Sequence, residues 1–340
     1  MFRVLVISGG KKVPSSIFRI RQYLPFINDS KSIKIDESYP SLECYTSHKG
    51  IFKLLYYIIY LISRLNIIFK QFNYDIIFLQ REILPTFYTI ERFLFKPIIY
   101  DVDDAVFIGD RQTLTQRRIS EQASMVIVSN SYLKNWYDQY SEKVIIIPTS
   151  VDIERYKPLN LPKLSNTKII GWIGTSDNFW HLDLVINSVS KFLIFNPCWK
   201  LRIVADKDYK SDQISADKIE NIKWTLDSDV KLINSFDIGI MPLVETNWTV
   251  GKSAFKLVQY MACGILCLAS DVGVNKVVGK DIESVKLLSD NGWYDALSDF
   301  SGKKFIDNKG REKIIKEYSI QKNSKILIKI LNEIYYSCWK

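Results

Sequence analysis

Short apolar runs alternate with longer amphipathic segments along almost the whole chain. The runs are rich in Val and Ile without strict alternation of apolar and polar positions, which is typical of strands buried on both faces. Because such strands lie in parallel sheets with helices on each side, we predict an α/β protein. The predicted strands are 2–8, 75–79, 97–101, 125–129, 143–148, 168–173, 200–205, 219–224, 236–241, 265–270 and 284–288.

The regular succession of strand, helix and strand predicts a doubly wound fold in two parts. The succession stops at residues 148–167, where three prolines stand among polar residues: Pro148, Pro158 and Pro162. A second strand–turn–helix pattern begins at Lys168. We therefore predict one Rossmann-like domain over residues 1–150 and another over residues 165–320.

Composition and length fit a folded globular protein, with 340 residues, 47% hydrophobic and 24% charged. The cysteines are odd in number and no pair has the spacing of a zinc site, so we expect reduced thiols in a cytoplasmic protein. The first apolar run is too short for a signal-peptide core, so no targeting segment is expected. The five cysteines are Cys44, Cys198, Cys263, Cys267 and Cys338.

The positive charge is concentrated in the first third of the chain. The net charge is +9, and residues 1–100 carry fourteen Lys and Arg against seven Asp and Glu, an excess of seven. An anionic membrane surface and a nucleic acid are both possible partners of such a region. A solvated face with no partner is the third interpretation.

The segment at residues 51–69 is unusually apolar and reads IFKLLYYIIYLISRLNIIF. Lys53 and Arg64 leave only ten uncharged residues between them, which is too few to span a bilayer core of about 30 Å. One interpretation is a buried helix of the first domain. The other is a helix lying in the membrane interface, which the tyrosines and flanking basic residues would suit.

The stretch from Trp248 to Gly264 carries the clearest chemical signal. Gly251 permits close approach of the backbone to a ligand, and Ser253 stands near the start of an amphipathic helix. Lys252 and Lys256 are four residues apart and are expected to share a face. A helix start beside lysines is a site for an anion such as a diphosphate, although a surface helix with ordinary lysines has the same pattern.

This stretch resembles the donor site of glycosyltransferase family 4, which are retaining enzymes of the GT-B fold. The pattern is Glu245-x-x-Trp248-x-x-Gly251-Lys252-x-x-x-Lys256-x-x-Gln259-Tyr260-Met261-Ala262-x-Gly264, followed by Ser270-x-Val272-Gly273-x-Asn275. Weaker matches are Tyr100-Asp101-x-Asp103-Asp104-Ala105-x-Phe107, Pro148-Thr149-x-Val151-Asp152 and Gly171-Trp172-Ile173-Gly174. The resemblance implies two Rossmann-like domains facing a cleft, with the last helix, about residues 322–340, packing back onto the first domain.

The resemblance also implies roles for individual residues. Lys256 would hold the donor diphosphate, and Gln259 stands where many members carry a glutamate that binds the ribose. Gly251 replaces the first glutamate of the familiar acidic pair, and Thr175 stands where an arginine is often found, so we expect Lys252 to supply the second positive charge. The expected donor-binding residues are Gly10, Gly174, Thr175, Glu245, Trp248, Gly251, Ser253 and Gln259, with Lys252 and Lys256 as catalytic residues.

In the first domain, candidates follow the first and third predicted strands. Gly10 ends a loop whose backbone N–H groups are expected to face the diphosphate. Arg19 is a candidate for contact with the acceptor or a phosphate, with a surface role as the alternative. Three carboxylates follow the strand at 97–101, where open α/β sheets bind ligands: Asp101, Asp103 and Asp104.

Sugar or structural hydrogen bonding is preferred over metal binding for these carboxylates, since the lysines would already neutralise the diphosphate. Many family members have a histidine near the position of Asp103, so Asp103 is expected to contact a sugar as a catalytic residue and Asp104 to contact the acceptor. Neither His48 nor His181 is an obvious catalyst, and His181 is expected to be structural.

We therefore expect a retaining, hexosyltransferase-like enzyme that moves a sugar from a nucleotide-sugar to a glycan or lipid-linked acceptor in surface polysaccharide or glycoconjugate synthesis. No metal or other cofactor and no nucleic acid partner is expected, and the protein is expected in the cytoplasm, peripheral at the anionic inner face of the plasma membrane. A catalytically inactive GT-B relative acting as a scaffold is the main alternative. A nicotinamide oxidoreductase would need a Gly-x-Gly-x-x-Gly turn, and a nucleic-acid-binding protein would need a recognition motif; neither is present.

Overall fold

The computed structural model describes residues 1–11, 13–42, 50–160, 166–289, 291–303 and 308–339. Cys44, His48 and Pro162, considered above, lie outside these ranges. The chain divides into two compact units. The first comprises Met1–Ser150 with Ile320–Lys340, and the second comprises Val151–Ser319.

The first unit is built on a six-stranded parallel sheet with the order β2-β1-β3-β4-β5-β6. Its strands are β1 (Phe2–Ile7), β2 (Ile33–Ser38), β3 (Ile76–Gln80), β4 (Ile98–Val102), β5 (Met125–Val128) and β6 (Val144–Ile146). Its helices are α1 (Pro14–Arg19), α2 (Leu24–Asn28), α3 (Gly50–Arg64), α4 (Asn66–Lys70), α5 (Asp110–Gln122), α6 (Ser131–Tyr137) and α14 (Ile320–Trp339). Short 3₁₀ turns span Arg21–Tyr23, Gln71–Asn73 and Ile90–Phe93.

The last helix, α14, belongs to the core of the first unit. Its apolar residues Leu327, Leu331 and Ile334 pack in the same cluster as Phe2 and Ile99. This packing gives the C-terminal segment a buried face against strands that lie some 200 residues or more earlier in the chain.

The second unit has its own six-stranded parallel sheet, in the order β12-β11-β10-β7-β8-β9. Its strands are β7 (Lys168–Ile173), β8 (Trp199–Ala205), β9 (Ile219–Lys223), β10 (Ile238–Met241), β11 (Leu266–Ser270) and β12 (Val285–Leu288). This is the Rossmann order, in which the winding reverses between the first and fourth strands of the unit. The reversal between β7 and β10 marks the place where such sheets bind ligands, outside the carboxyl ends of the strands.

The helices of the second unit cover both faces of this sheet, as the two apolar clusters of the unit show. They are α7 (Ile186–Phe195), α8 (Asp229–Asn234), α9 (Asn247–Val250), α10 (Phe255–Ala262), α11 (Val274–Gly279), α12 (Trp293–Ser301) and α13 (Asn308–Lys313). Short 3₁₀ segments span Ser176–Leu184 and Ala216–Lys218, and a π-helical segment spans Ile314–Tyr318.

The two parallel sheets confirm the doubly wound α/β fold, and each of the eleven predicted strands overlaps an observed one. The edge strand β2 was not predicted. Its sequence IKIDES has three charged residues in six, and two of them form ion pairs, Asp36 with Arg3 and the more buried Glu37 with Arg21. An edge strand of this kind lacks the apolar run that reveals a central strand.

The interpretation of residues 51–69 as a buried helix is wrong. Helices α3 and α4 and the turn Gln71–Asn73 form a stretch, Gly50–Asn73, that is long and apolar enough to cross a membrane by length and composition, and only 17% of its most apolar window is buried. The charges at Lys53 and Arg64 therefore do not make this stretch too short to span a bilayer by length and composition, contrary to the expectation from the sequence.

Gly171 in β7 provides a test of how tightly the second sheet is packed. A Cβ atom at this position would lie 2.1–2.2 Å from ring atoms of Phe236. We predict that Gly171→Ala lowers the free energy of unfolding by about 2 kcal/mol or more, since a well-packed core resists added volume. Gly302→Ala is the matched control, because nothing lies within 4 Å of its Cβ position. Equal urea midpoints for the two variants would contradict the prediction.

Candidate functional site

The candidate site in the second unit is built by the segments that follow β7 and β10. Gly174 and the 3₁₀ segment Ser176–Leu184 follow β7, and a loop leading to α9 follows β10. Since β7 and β10 are hydrogen-bonded neighbours, both segments leave the same edge of the sheet at the reversal of the winding.

The turn between α9 and α10 is fixed by its own hydrogen bonds. Thr246 caps α9, its Oγ1 accepting from the backbone N–H of Thr249 at 3.2 Å. Ala254, directly before α10, has a left-handed backbone with φ 54°. Because α10 begins at Phe255, Lys252 stands in the bend before the helix, so the expectation that Lys252 and Lys256 share one helix face is wrong.

The two lysines nevertheless both lie beside the end of β7. The Lys256 Nζ is 5.2 Å from the ring centroid of Trp172, and a Cβ on Gly174 would lie 2.7 Å from Lys256 Cε. The Lys252 Nζ donates a hydrogen bond to Asn178 Oδ1 at 3.2 Å. Both side chains are half-buried, Lys256 against the end of β7 and Lys252 against the 3₁₀ segment that follows it, on the side of the sheet where such folds bind ligands.

Gln259 lies on the inner side of α10. It is 4% exposed, and its Nε2 donates to Tyr156 Oη at 3.0 Å. Tyr156 in turn donates to Asp229 Oδ2 at 2.6 Å. Burial raises the pKa of Tyr156 well above its usual value, and the Asp229 carboxylate adds to this effect, so the phenol stays protonated as a donor. The amide nitrogen of Gln259 therefore supports the structure, and its contact with a ribose stays a prediction.

His181, expected to be structural, lies in the 3₁₀ segment that follows β7, near both lysines. It is 2% exposed, and its Nδ1 accepts a hydrogen bond from the backbone N–H of Val244 at 3.2 Å. Burial lowers the pKa of His181 to about 4, and repulsion from Lys252 and Lys256 adds to the shift. The imidazole is thus neutral near pH 7, with its proton on Nε2.

The remaining donor candidates of the second unit lie around the same segments. Thr175 and Glu245 are exposed, while Trp248 and Ser253 are half-buried. Thr175 Oγ1 accepts from Asn178 Nδ2 at 2.8 Å, and the Trp248 ring centroid is 5.9 Å from Lys252 Nζ. Gly251 ends α9 with an ordinary helical backbone, φ −81°.

In the first unit, Arg19 is not a surface residue. It is 3% exposed, its Nε donates to Asp101 Oδ2 at 3.1 Å, and its Nη1 donates to the carbonyl oxygen of Ile147 at 2.6 Å. Burial alone would lower the pKa of Arg19, but the Asp101 carboxylate holds it above its usual value. The surface interpretation is therefore wrong, and the acceptor contact stays a prediction that this burial disfavours.

Asp103 and Asp104 are joined by a residue that the sequence did not single out. Arg81 donates from Nε to Asp103 Oδ1 at 2.8 Å and also contacts the Asp104 carboxylate. Arg81 follows β3, and the two aspartates follow the neighbouring strand β4. The adjacency of these strands was the one signal in the sequence that could have placed Arg81 beside the aspartates. Within the described ranges, no group of three or more His, Cys, Asp or Glu side chains could hold a metal ion.

Gly10, the remaining candidate of the first unit, has φ 148°. A Cβ at this position would lie 3.3 Å from Val13 Cγ2, so a side chain would crowd the turn that leads into α1. This position is one where glycine is favoured.

Comparison with known proteins adds two findings. Residues 167–300 match the family model described as glycosyl transferases group 1. The whole chain resembles solved structures of low sequence identity, while no curated protein matches it. The family match relates residues 167–300 to glycosyl transferases, and the likeness to solved structures shows the fold.

Three solved structures illustrate the likeness. Sucrose-phosphate synthase from Thermosynechococcus elongatus has a TM-score of 0.70 at 12% identity over 99% of this chain and 100% of its own. A glycosyltransferase from Rickettsia africae has 0.68 at 16% over 98% of each chain. Anabaena HepE, solved with UDP and glucose, has 0.71 at 11% over 98% of this chain and 100% of its own. The GT-B fold expected from the sequence is confirmed.

The segment at residues 167–300 that matches the family model includes β7, β10 and both lysines. The match thus falls on the candidate site of the second unit. The first-unit candidates Gly10, Arg19, Asp103 and Asp104 lie outside it, and their roles stay predictions.

The shifted pKa of His181 predicts a pH dependence of stability. The neutral imidazole stabilises the folded protein above the unfolded pKa of 6.5, and this contribution is lost as the pH falls towards 4. We predict that lowering the pH from 7.5 to 4.5 reduces the stability of the wild type more than that of His181→Asn. Urea unfolding at both pH values measures the difference, and equal losses would contradict the prediction.

Proposed function

We propose that the protein is a retaining glycosyltransferase that moves a sugar, in the manner of a hexosyltransferase, from a nucleotide-sugar to an acceptor hydroxyl. The observation that carries the proposal is the meeting of Lys252 and Lys256 at the end of β7, in the domain that matches group 1 glycosyl transferases. HepE, a structural neighbour, was solved with UDP-glucose, which supports a nucleotide-sugar as the donor.

The reaction breaks the bond between the anomeric carbon and the β-phosphate oxygen. A bond from the acceptor oxygen to the same carbon forms on the same face, and the acceptor proton passes to the leaving phosphate. A nucleoside diphosphate is released. Negative charge grows on the phosphate as the bond breaks, so fixed positive groups there stabilise the transition state more than the ground state.

Lys252 and Lys256 supply that charge in this proposal, with Lys256 beside Gly174 at the strand end and Lys252 hydrogen-bonded to Asn178. The amino-terminal end of the eight-residue helix α10 adds backbone N–H groups. Because these groups can neutralise a diphosphate, we propose that no metal ion is needed.

Replacement of Lys256 tests the role of this charge. We predict that Lys256→Ala lowers kcat/KM by about a hundredfold or more, the usual effect of removing a group that stabilises transition-state charge. Lys280→Ala, an exposed lysine in the same unit, is the control and should stay within about threefold. Sugar transfer and donor hydrolysis are measured over a panel of nucleotide-sugars.

Several results would contradict the assignment. A Lys256→Ala variant with activity within threefold of the wild type would exclude Lys256 from the reaction. Activity that vanishes in a chelator and returns with magnesium or manganese would overturn the metal-free proposal. A folded wild type that binds nucleotide-sugars but never turns them over would favour the alternative of an inactive scaffold.

We propose further that the acceptor is lipid-linked, within surface polysaccharide or glycoconjugate synthesis, and that the first unit docks on the anionic inner face of the plasma membrane. The support is an apolar surface, called here the outer face of α3 and α4. Its members are exposed large apolar residues within 22 positions: Ile51, Phe52, Leu54, Leu55, Ile58, Ile59, Ile62, Leu65, Phe69 and Phe72. Exposed apolar surface of this extent marks an interaction site.

The opposite face of the same stretch is fastened to the first unit. Buried residues recur at helical spacing: Tyr60, Arg64, Ile67 and Gln71. Tyr60 Oη donates to the carbonyl oxygen of Ile83 at 2.9 Å, and Gln71 Nε2 donates to that of Phe93 at 3.0 Å. A helix held along one side in this way favours lying in the membrane interface over crossing the bilayer.

Charge supports the same partner. Lys53 and Lys70 are exposed beside the outer face, and residues 1–100 carry the excess of seven positive charges. Each basic residue near an anionic surface contributes about 1 kcal/mol, so several together give reversible binding. The described part of the chain offers no recognition motif that would favour a nucleic acid instead.

Vesicle co-sedimentation tests the docking. We predict that binding rises with anionic lipid content, falls with salt because of screening, and drops strongly in the double variant Phe52→Ser/Phe69→Ser. The two side chains are 69% and 73% exposed, so they can be replaced with little loss of packing.

The matched control is Ile194→Ser/Phe195→Ser, whose side chains in the second unit are 72% and 67% exposed. This control should bind vesicles like the wild type. Wild-type protein that stays in the supernatant with anionic vesicles at low salt would exclude docking and favour a soluble acceptor. Protein in native membranes that resists alkaline carbonate extraction would indicate a spanning helix instead.

A further inference from the structure

We propose that His181 is a ligand of the donor diphosphate, donating a hydrogen bond from Nε2–H to a phosphate oxygen. The inference rests on the proposed function and adds to it a neutral donor that the sequence interpretation had set aside as structural. It concerns the second unit alone.

The first observation is a buried donor without an acceptor. His181 is 2% exposed, and its Nε2 has no hydrogen-bond partner among the residues that the structure describes. The bond that Nδ1 accepts from Val244 fixes the tautomer, since a neutral imidazole carries only one proton and it must then lie on Nε2. A buried N–H without an acceptor lowers the stability of the fold, so its retention points to an acceptor supplied by a ligand.

The second observation is which groups surround this donor. His181 follows β7 on the same 3₁₀ segment as Asn178, which holds Lys252, and its partner Val244 follows β10. Lys252 and Lys256 both lie close enough to act on its charge. Donors thus gather at one edge of the sheet, at the reversal of the winding, and an anion with several acceptor oxygens fits them.

A phosphate oxygen satisfies this donor better than a sugar hydroxyl. A hydroxyl brings a proton of its own and accepts weakly, whereas a phosphate oxygen offers lone pairs and negative charge. A neutral histidine also adds a hydrogen bond without a third positive charge beside two lysines. The site can therefore hold the diphosphate firmly and still release it once the sugar has moved.

Two substitutions separate this role from a structural one. The amide oxygen of Asn can replace Nδ1 as the acceptor for Val244, so His181→Asn keeps the structural bond and removes the Nε2 donor. The longer Gln places its amide nitrogen near the position of Nε2, so His181→Gln keeps the donor and loses the Val244 bond. If His181 binds phosphate, His181→Gln should bind pyrophosphate more tightly than His181→Asn. If His181 is only structural, the order should be reversed.

Titration calorimetry of the full chain measures the binding of inorganic pyrophosphate and of UDP, GDP, ADP and dTDP. We expect His181→Asn to bind pyrophosphate and the preferred nucleotide about tenfold to a hundredfold more weakly than the wild type, the effect of one hydrogen bond to a charged group. His181→Gln should bind more tightly than His181→Asn. Circular dichroism and urea midpoints confirm that both variants are folded.

The outcomes are distinct. Wild-type affinity for pyrophosphate in a folded His181→Asn overturns the inference, as does weakening in His181→Gln alone, which would indicate a structural role through Val244. Weakened binding of nucleotide-sugar with unchanged binding of pyrophosphate also overturns it, since His181 would then contact the sugar. A wild type that binds pyrophosphate but neither binds nor turns over any nucleotide-sugar refutes the proposed function, while the His181 comparison can still be made with pyrophosphate.

Discussion

The candidate site depends on the absence of a side chain at Gly174. A Cβ on Gly174 would lie 2.7 Å from Lys256 Cε and 2.7 Å from the Trp172 ring, closer than either contact allows. A larger residue at this position would therefore require the Lys256 side chain or the Trp172 ring to shift. The reversal of winding between β7 and β10 brings Lys252 and His181 to the same edge, so strand order and one missing side chain together place the positive charges.

A second constraint on α10 is a chain of hydrogen bonds on its buried side. Gln259, Tyr156 and Asp229 form a buried chain of hydrogen bonds, and Arg155 pairs with the same carboxylate. A buried chain of this kind is rigid when every member is satisfied. Gln259, which the family resemblance associates with the ribose, is thereby held in the core of the second unit. Lys256 lies one turn earlier on α10, so this packing helps to position it, as does the absence of a side chain at Gly174.

Sequence patterns predicted most of the sheets and part of the site, for physical reasons. Central strands are apolar on both faces and therefore visible, whereas β2 is a charged edge strand. Lys252 and Lys256 could be found because they are near neighbours in sequence. Arg81 pairs with Asp103 across 22 residues, and His181 acquires its place from contacts with a loop 63 residues away, which local pattern cannot show.

The hydrogen bonds that hold α3 to the first unit lie near the carboxyl ends of its strands. The outer face of α3 and α4 is therefore close to the end of this sheet where ligands bind. Arg64 reaches the carbonyl oxygens of Ser8 and Ser38, at the carboxyl ends of β1 and β2, and Tyr60 reaches Ile83, just beyond β3. The carboxyl edge is where sheets of this kind bind ligands, and Gly10 and Asp101 stand at it. A membrane on the outer face of α3 and α4 would lie next to that edge. A lipid-linked acceptor would then reach the first unit without leaving the bilayer surface, which a soluble acceptor would not require, so the exposed face and the proposed acceptor are explained together.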